Sequence, residues 1–126
     1  FHEVASGGEQ SRFLLALRVA LGAKRNIPVQ LFDEVDQGIG GQTAAAVGTR
    51  LEALGQHGQV ILVTHSPQVA AKGARHFLVE KGDRDGVTFS QLRLLDDAER
   101  QEEIARMLAG DMVTDEARKA AMSLLS

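Results

Sequence analysis

The feature that most constrains the fold is a run of four apolar residues, Val60, Ile61, Leu62 and Val63, with no polar side chain among them. A strand with one face in water alternates apolar and polar residues. An unbroken apolar run is typical of a parallel strand covered on both faces. The residues before it fit that reading. "VQLF" at 29–32 reads as a short buried strand, and "TAAAVGTRLEAL" reads as a helix capped by Gln42 or Thr43, with Gly55 and Gly58 closing it. Farther upstream, Leu14, Leu17 and Leu21 lie on one face, flanked by Phe13, Ala16 and Ala20. Their three- and four-residue spacings predict a helix from about Glu9 to Ala23. Pro28 disfavours helical geometry at Ile27 and breaks the pattern there.

Beyond the apolar run, "SPQVAAKGA" predicts a short helix starting near Ser66, with Pro67 at its tolerated first position. "RHFLVEKG" and "VTFSQLRLL" flank "DRDG", whose Asp-Gly pair favours a hairpin. "DDAERQEEIARMLAG" carries an Asp96-x-x-Glu99 capping box and ends at Gly110, and "TDEARKAAMSLL" opens with acids that complement a helix dipole. Strands alternating with helices predict an α/β fold, a largely parallel central sheet flanked by helices with an edge hairpin.

Composition excludes several functions. The 126 residues fit one domain and one core. A formal net charge of -3 leaves no basic footprint of the kind that dominates DNA affinity, so these residues are not expected to supply most of the phosphate contacts if the protein works on nucleic acid. There is no cysteine, which rules out disulfides and thiolate metal sites and fits a reducing cytoplasm. Five Phe with no Trp or Tyr make a base-stacking platform a poor expectation. No apolar run approaches the roughly 20 residues that cross a bilayer. His2, His57 and His76 show no metal-ligand spacing, and "DDAERQEE" reads as a solvated helix face. Lys72, Arg75 and Lys81 are scattered basic residues that read as ordinary surface.

Three short stretches carry chemistry. Asp33 and Glu34 directly follow "VQLF", and in an open α/β sheet ligands sit beyond the carboxyl ends of the strands. Asp33 there can hold Mg²⁺, a hard cation that keeps several waters, and Glu34 can polarise a water for attack on a phosphoryl group. The competing reading makes Asp33 a turn cap and Glu34 a solvated acid. Ser6, Gly7 and Gly8 lead into a helix and offer either an anion site of backbone N–H groups or a plain N-cap. His65 follows the apolar run and shares the sheet edge of Asp33 if the strands are parallel; a neutral imidazole there can donate to a phosphate oxygen or hold the attacking water. Each stretch alone is ambiguous, but their joint occurrence in this order is hard to ascribe to chance.

That order resembles the C-terminal part of the ABC-type P-loop NTPase head: "SGGEQ" the signature, "VQLFDE" the Walker B strand, "VDQG" the D-loop and "VTH" the switch-histidine loop. With "ASGGEQSR", "FDEVDQGIGG", "VTHSPQVAA" and "RMLAGD", nearly the whole chain resembles the bacterial RecN DNA-repair ATPases, relatives of SMC proteins whose two half-heads are joined by a long coiled coil. Gln10 departs from the Leu more common there. The resemblance implies that Asp33 organises Mg²⁺ mainly through water, that Glu34 is the general base, and that His65 contacts the γ-phosphate of ATP. It implies that Ser6, Gly7, Gly8 and Glu9 bind the nucleotide held by a second head in a dimer, and that Asp36 connects the two sites across the interface. It further implies DNA binding through the full protein, double-strand-break repair and recombination, and a cytoplasmic, nucleoid-associated place. Another SMC-like or ABC-type half-head, or a non-catalytic α/β interaction module, are the alternatives.

No G-x-x-x-x-G-K-[ST] occurs in the chain; "GIGGQTA" lacks the lysine and follows the carboxylates. Residues 1–126 therefore read as the C-terminal lobe of a head whose Walker A motif lies in an N-terminal half-head. The abrupt start at Phe1 agrees with a fragment that does not hydrolyse ATP alone.

Overall fold

A computed structural model describes residues 27–126, together with Ala16 and Ala20, which are helical. The element order is β1 (Val29–Asp33), α1 (Gly41–Gly55), β2 (Gln59–Val63), α2 (Pro67–Ala70), β3 (Phe77–Arg84), β4 (Val87–Leu94), α3 (Asp97–Ala109) and α4 (Asp115–Leu125). The chain divides into two compact units, Phe1–Lys72 and Gly73–Ser126.

In the first unit β1 and β2 pair in parallel, Val29 opposite Gln59 and Asp33 opposite Val63. Both strands therefore end at one edge of the sheet. Helix α1 crosses between them and buries Ala44, Val47, Gly48, Leu51 and Leu54, a stripe at three- and four-residue spacing. Ala44, Val47, Leu51 and Leu54 form the core with Phe32 and Val69, and Val60 and Leu62 pack against it. Gly48 sets how closely α2 approaches α1. A Cβ there would lie 3.2 Å from the Gln68 carbonyl oxygen and 3.3 Å from Val69 Cα. Among the described residues only one side of the sheet is covered, where its apolar run predicts cover on both. Leu31 is 64% exposed, and Val29, Ile61 and Val63 also stand out in solvent. Alternation places these four on the face away from Phe32, Val60 and Leu62.

The cap of α1 also differs from expectation. Gly40 is the N-cap, with extended backbone and no side-chain cap bond, and its carbonyl accepts from Ala44 N–H at 2.8 Å. Gln42 and Thr43 lie inside the helix. The short helix begins as expected, with Ser66 at the N-cap and Pro67 at the first turn.

In the second unit β3 and β4 form an antiparallel hairpin, a two-stranded sheet of its own. The two-residue turn has Asp85 at φ 53° and Gly86 at φ 76°. Positive φ at both positions is what a tight hairpin turn matched to strand twist requires, and Asp-Gly tolerates it. Helix α3 carries the expected capping box: Asp96 Oδ1 accepts from Glu99 N–H at 2.8 Å, and Glu99 Oε2 accepts from Asp96 N–H at 2.9 Å. Gly110, at φ 80°, ends it. Thr114 caps α4, whose first turn holds Asp115 and Glu116. Ile104, Ala105, Ala117 and Ala121 are buried, and the alanines let α3 and α4 approach closely. Arg118 on α4 grips Glu102 on α3 with two bonds of 2.9 and 3.0 Å. No helix among the described residues is long and apolar enough to cross a membrane.

Candidate active site

The parallel register carries Asp33, Glu34 and Asp36 to the same edge as Thr64, His65 and Ser66. Asp33 ends β1 with an exposed side chain. Glu34 then turns the chain out of the sheet at φ 46°, a left-handed conformation that costs a residue with a side chain about 1–3 kcal/mol. Three contacts hold it there. Its N–H donates to Val63 O at 2.9 Å, its carbonyl accepts from Gln37 N–H at 3.1 Å, and its Oε1 lies 2.7 Å from His65 Nε2. The His65 side chain is 87% exposed and that of Glu34 39%, so this pair adds little to folding stability. Its significance is geometric: a carboxylate that can accept a proton is oriented by an imidazole on the neighbouring loop.

Asp36 is the one buried charged residue among those described, at 7% exposure. Its Oδ2 accepts a hydrogen bond from Thr64 Oγ1, and Thr64 Oγ1 accepts in turn from Ser66 N–H at 2.9 Å. Ser66 Oγ donates to Gln68 Oε1 at 3.0 Å. The Asp36 carboxylate thus points into the fold.

Asp33, Glu34 and His65, singled out from sequence, are brought to one edge. Asp36 is adjacent but turned inward, and Ser6, Gly7, Gly8 and Glu9 lie outside the described residues. Thr64 was not singled out, although a hydroxyl directly after a buried strand and directly before the histidine was a usable signal. Among the described residues, no group of three or more His, Asp or Glu could hold a metal. Mg²⁺ does not need such a cage. It is commonly held by one or two carboxylates with waters and substrate phosphates, and an exposed Asp33 at a strand end fits that donor set. The edge therefore presents an exposed carboxylate, Asp33, beside a second carboxylate, Glu34, that is oriented by an imidazole.

No protein-family profile matches the chain. The DNA repair protein RecN of Xylella fastidiosa (strain 9a5c) is 54% identical over 123 residues, which is 98% of this chain and 22% of that protein. The DNA repair protein RecN of Streptomyces coelicolor is 47% identical over 121 residues, 96% of this chain and 21% of that protein. The chain thus spans about a fifth of the length of these relatives. Among solved structures, one from work on ATP-driven dimerization and DNA stimulated activation of SMC ATPases superposes with a TM-score of 0.66 at 22% identity, covering 87% of this chain and 66% of that one. An Smc head domain with a coiled coil and joint derived from Pyrococcus yayanosii gives 0.67 at 24% identity, covering 81% of this chain and 19% of that one. Along nearly all its length the chain is thus similar to proteins named DNA repair protein RecN, and it shares its fold with SMC head domains.

Proposed function

We propose that this chain is the C-terminal lobe of an ATP-hydrolysing head in a RecN-type DNA-repair protein, with two such heads dimerising around ATP. The observation that carries the reading is the Glu34–His65 pair at 2.7 Å beside the exposed Asp33, at the carboxyl edge of a parallel strand pair. Glu34 takes a proton from water as the water oxygen attacks the γ-phosphorus. The bond from that phosphorus to the β–γ bridging oxygen breaks, leaving ADP and phosphate. His65 orients the Glu34 carboxylate and, with nucleotide bound, reaches the γ-phosphate. Asp33 would hold Mg²⁺ through water, and the ion would supply charge neutralisation on the phosphates.

Ser6, Gly7, Gly8 and Glu9 serve the nucleotide of the opposite head, and an N-terminal half-head brings the Walker A cradle. Asp36 contributes to the head–head contact by fixing the shape of its turn, its carboxylate being occupied inside the fold. An SMC ATPase of the same fold is described as dimerising under ATP and as activated by DNA, which supports the dimeric arrangement and a DNA role for the full protein.

The test is Glu34→Gln in the full-length protein. Removing a general base lowers turnover by about 100- to 10,000-fold. Nucleotide binding persists, and the heads stay associated in ATP. Wild-type turnover in that variant overturns the assignment.

A further inference from the structure

We infer that Thr64 is a positioning residue for hydrolysis, its hydroxyl tying the turn that carries Asp36 to the loop that carries His65. The inference rests on the ATPase reading above. Two rungs cross between the loops. One is Glu34–His65 at 2.7 Å, and the other is Asp36–Thr64, joining residues 28 apart in sequence. The two rungs differ in exposure. The Glu34–His65 rung lies largely in solvent, where a lone side-chain pair holds its partners weakly. The Asp36–Thr64 rung ends on a buried carboxylate, and a charge-assisted hydrogen bond away from water is roughly twice as strong as a neutral one.

The Thr64 hydroxyl is used in both directions. It donates to Asp36 Oδ2 and accepts from Ser66 N–H, so the residues on either side of His65 are fixed by one oxygen. An imidazole with an 87% exposed side chain gets its place chiefly from its backbone, and this oxygen holds that backbone. The other end of the rung reaches Glu34 through the same turn, whose Gln37 N–H donates to Glu34 O at 3.1 Å. A shift of the Asp36 turn is therefore passed to both members of the reacting pair. Removing the hydroxyl leaves Asp36 a buried acceptor without that donor and frees the His65 loop.

The experiment compares steady-state ATP hydrolysis by full-length protein carrying Thr64→Val, which keeps the shape without the hydroxyl, and Thr64→Ser, which restores it. Thr64→Val is expected to lower kcat about 10- to 100-fold with little change in KM, as a small misplacement of reacting groups does. Thr64→Ser is expected to recover most of the loss. Equal rates in wild type and Thr64→Val, or equal slowness in the two variants, overturn the inference. So does a rise in KM with kcat unchanged. If Thr64→Val fails to fold, Thr64→Ala takes its place, and failure of both assigns the hydroxyl to folding and overturns the positioning role. Glu34→Gln run alongside separates the two levels. Full turnover there sinks the ATPase site itself, whereas a dead Glu34→Gln with a normal Thr64→Val sinks only the coupling.

Discussion

The parallel pair β1–β2 and the helical pair α3–α4 are held by different kinds of contact. In the second unit almost every local rule is obeyed. Asp96 and Glu99 cap α3 reciprocally, Thr114 caps α4, and Asp-Gly sits in a turn that demands it. Arg118, Arg106 and Arg93 each grip a nearby acid. The first unit disregards several of these rules. Its helices α1 and α2 lack side-chain caps and acids in their first turns. Glu34 is in a left-handed conformation, and Asp36 is buried with its charge. Backbone strain and buried polar groups cluster where a site must be pre-formed. The difference teaches that the first unit is shaped by its core and its edge, and the second by local side-chain chemistry.

Three measurements probe that contrast. The largest effect is expected from Phe32→Ala, since Phe32 is 1% exposed and central to the first core. The loss is about 3–5 kcal/mol. Hydrogen exchange in the full-length protein reads it as lost protection in α1 and β2. Unchanged protection there means that some other packing holds the parallel pair.

Next is Asp96→Ala, which removes one half of the capping box and costs about 1 kcal/mol. Faster exchange confined to the first turns of α3 sharpens the contrast, and no change blunts it. The Glu99 side chain also pairs with Arg93, so Asp96→Asn, which keeps an acceptor, should recover most of the protection.

The smallest effect concerns His76, which is half-buried, with its Nδ1 shielded and without a hydrogen-bond partner. Burial, and then the nearby Arg100 charge, push its pKa below the ordinary 6.5, while Glu103 opposes them weakly. The unfolded chain therefore takes up a proton that the folded state resists. Folding stability falls as pH drops through about 6.5 and is recovered above it. Denaturant midpoints between about pH 7.5 and pH 5.5 read this, and His76→Asn should flatten that part of the profile. A slope that survives the substitution belongs to other groups.

Much of this was legible in the primary sequence. The hairpin turn, both caps of the second unit and the parallel strand pair all follow from residue types whose preferences act over a few positions. The places of Asp33, Glu34 and His65 were legible too, because parallel strands must end on one edge. Less was legible where alternatives competed locally. Gly40 caps α1 in place of Gln42 or Thr43, which lie inside the helix. The apolar run at 60–63 is that of a strand with two covered faces, but the described residues cover only the face of Val60 and Leu62.

By itself the sequence determined the order of elements, the turn and cap chemistry, and which acids and which histidine stand at strand ends. These depend on backbone preferences and side-chain periodicity within one element. Tertiary structure alone decided that Glu34 adopts φ 46°, that it meets His65 at 2.7 Å, and that Asp36 turns inward to Thr64. Each of these depends on two loops, 28 residues or more apart, being brought within hydrogen-bond reach by a shared core. No local preference encodes that distance; the packing of α1 on β1 and β2 sets it.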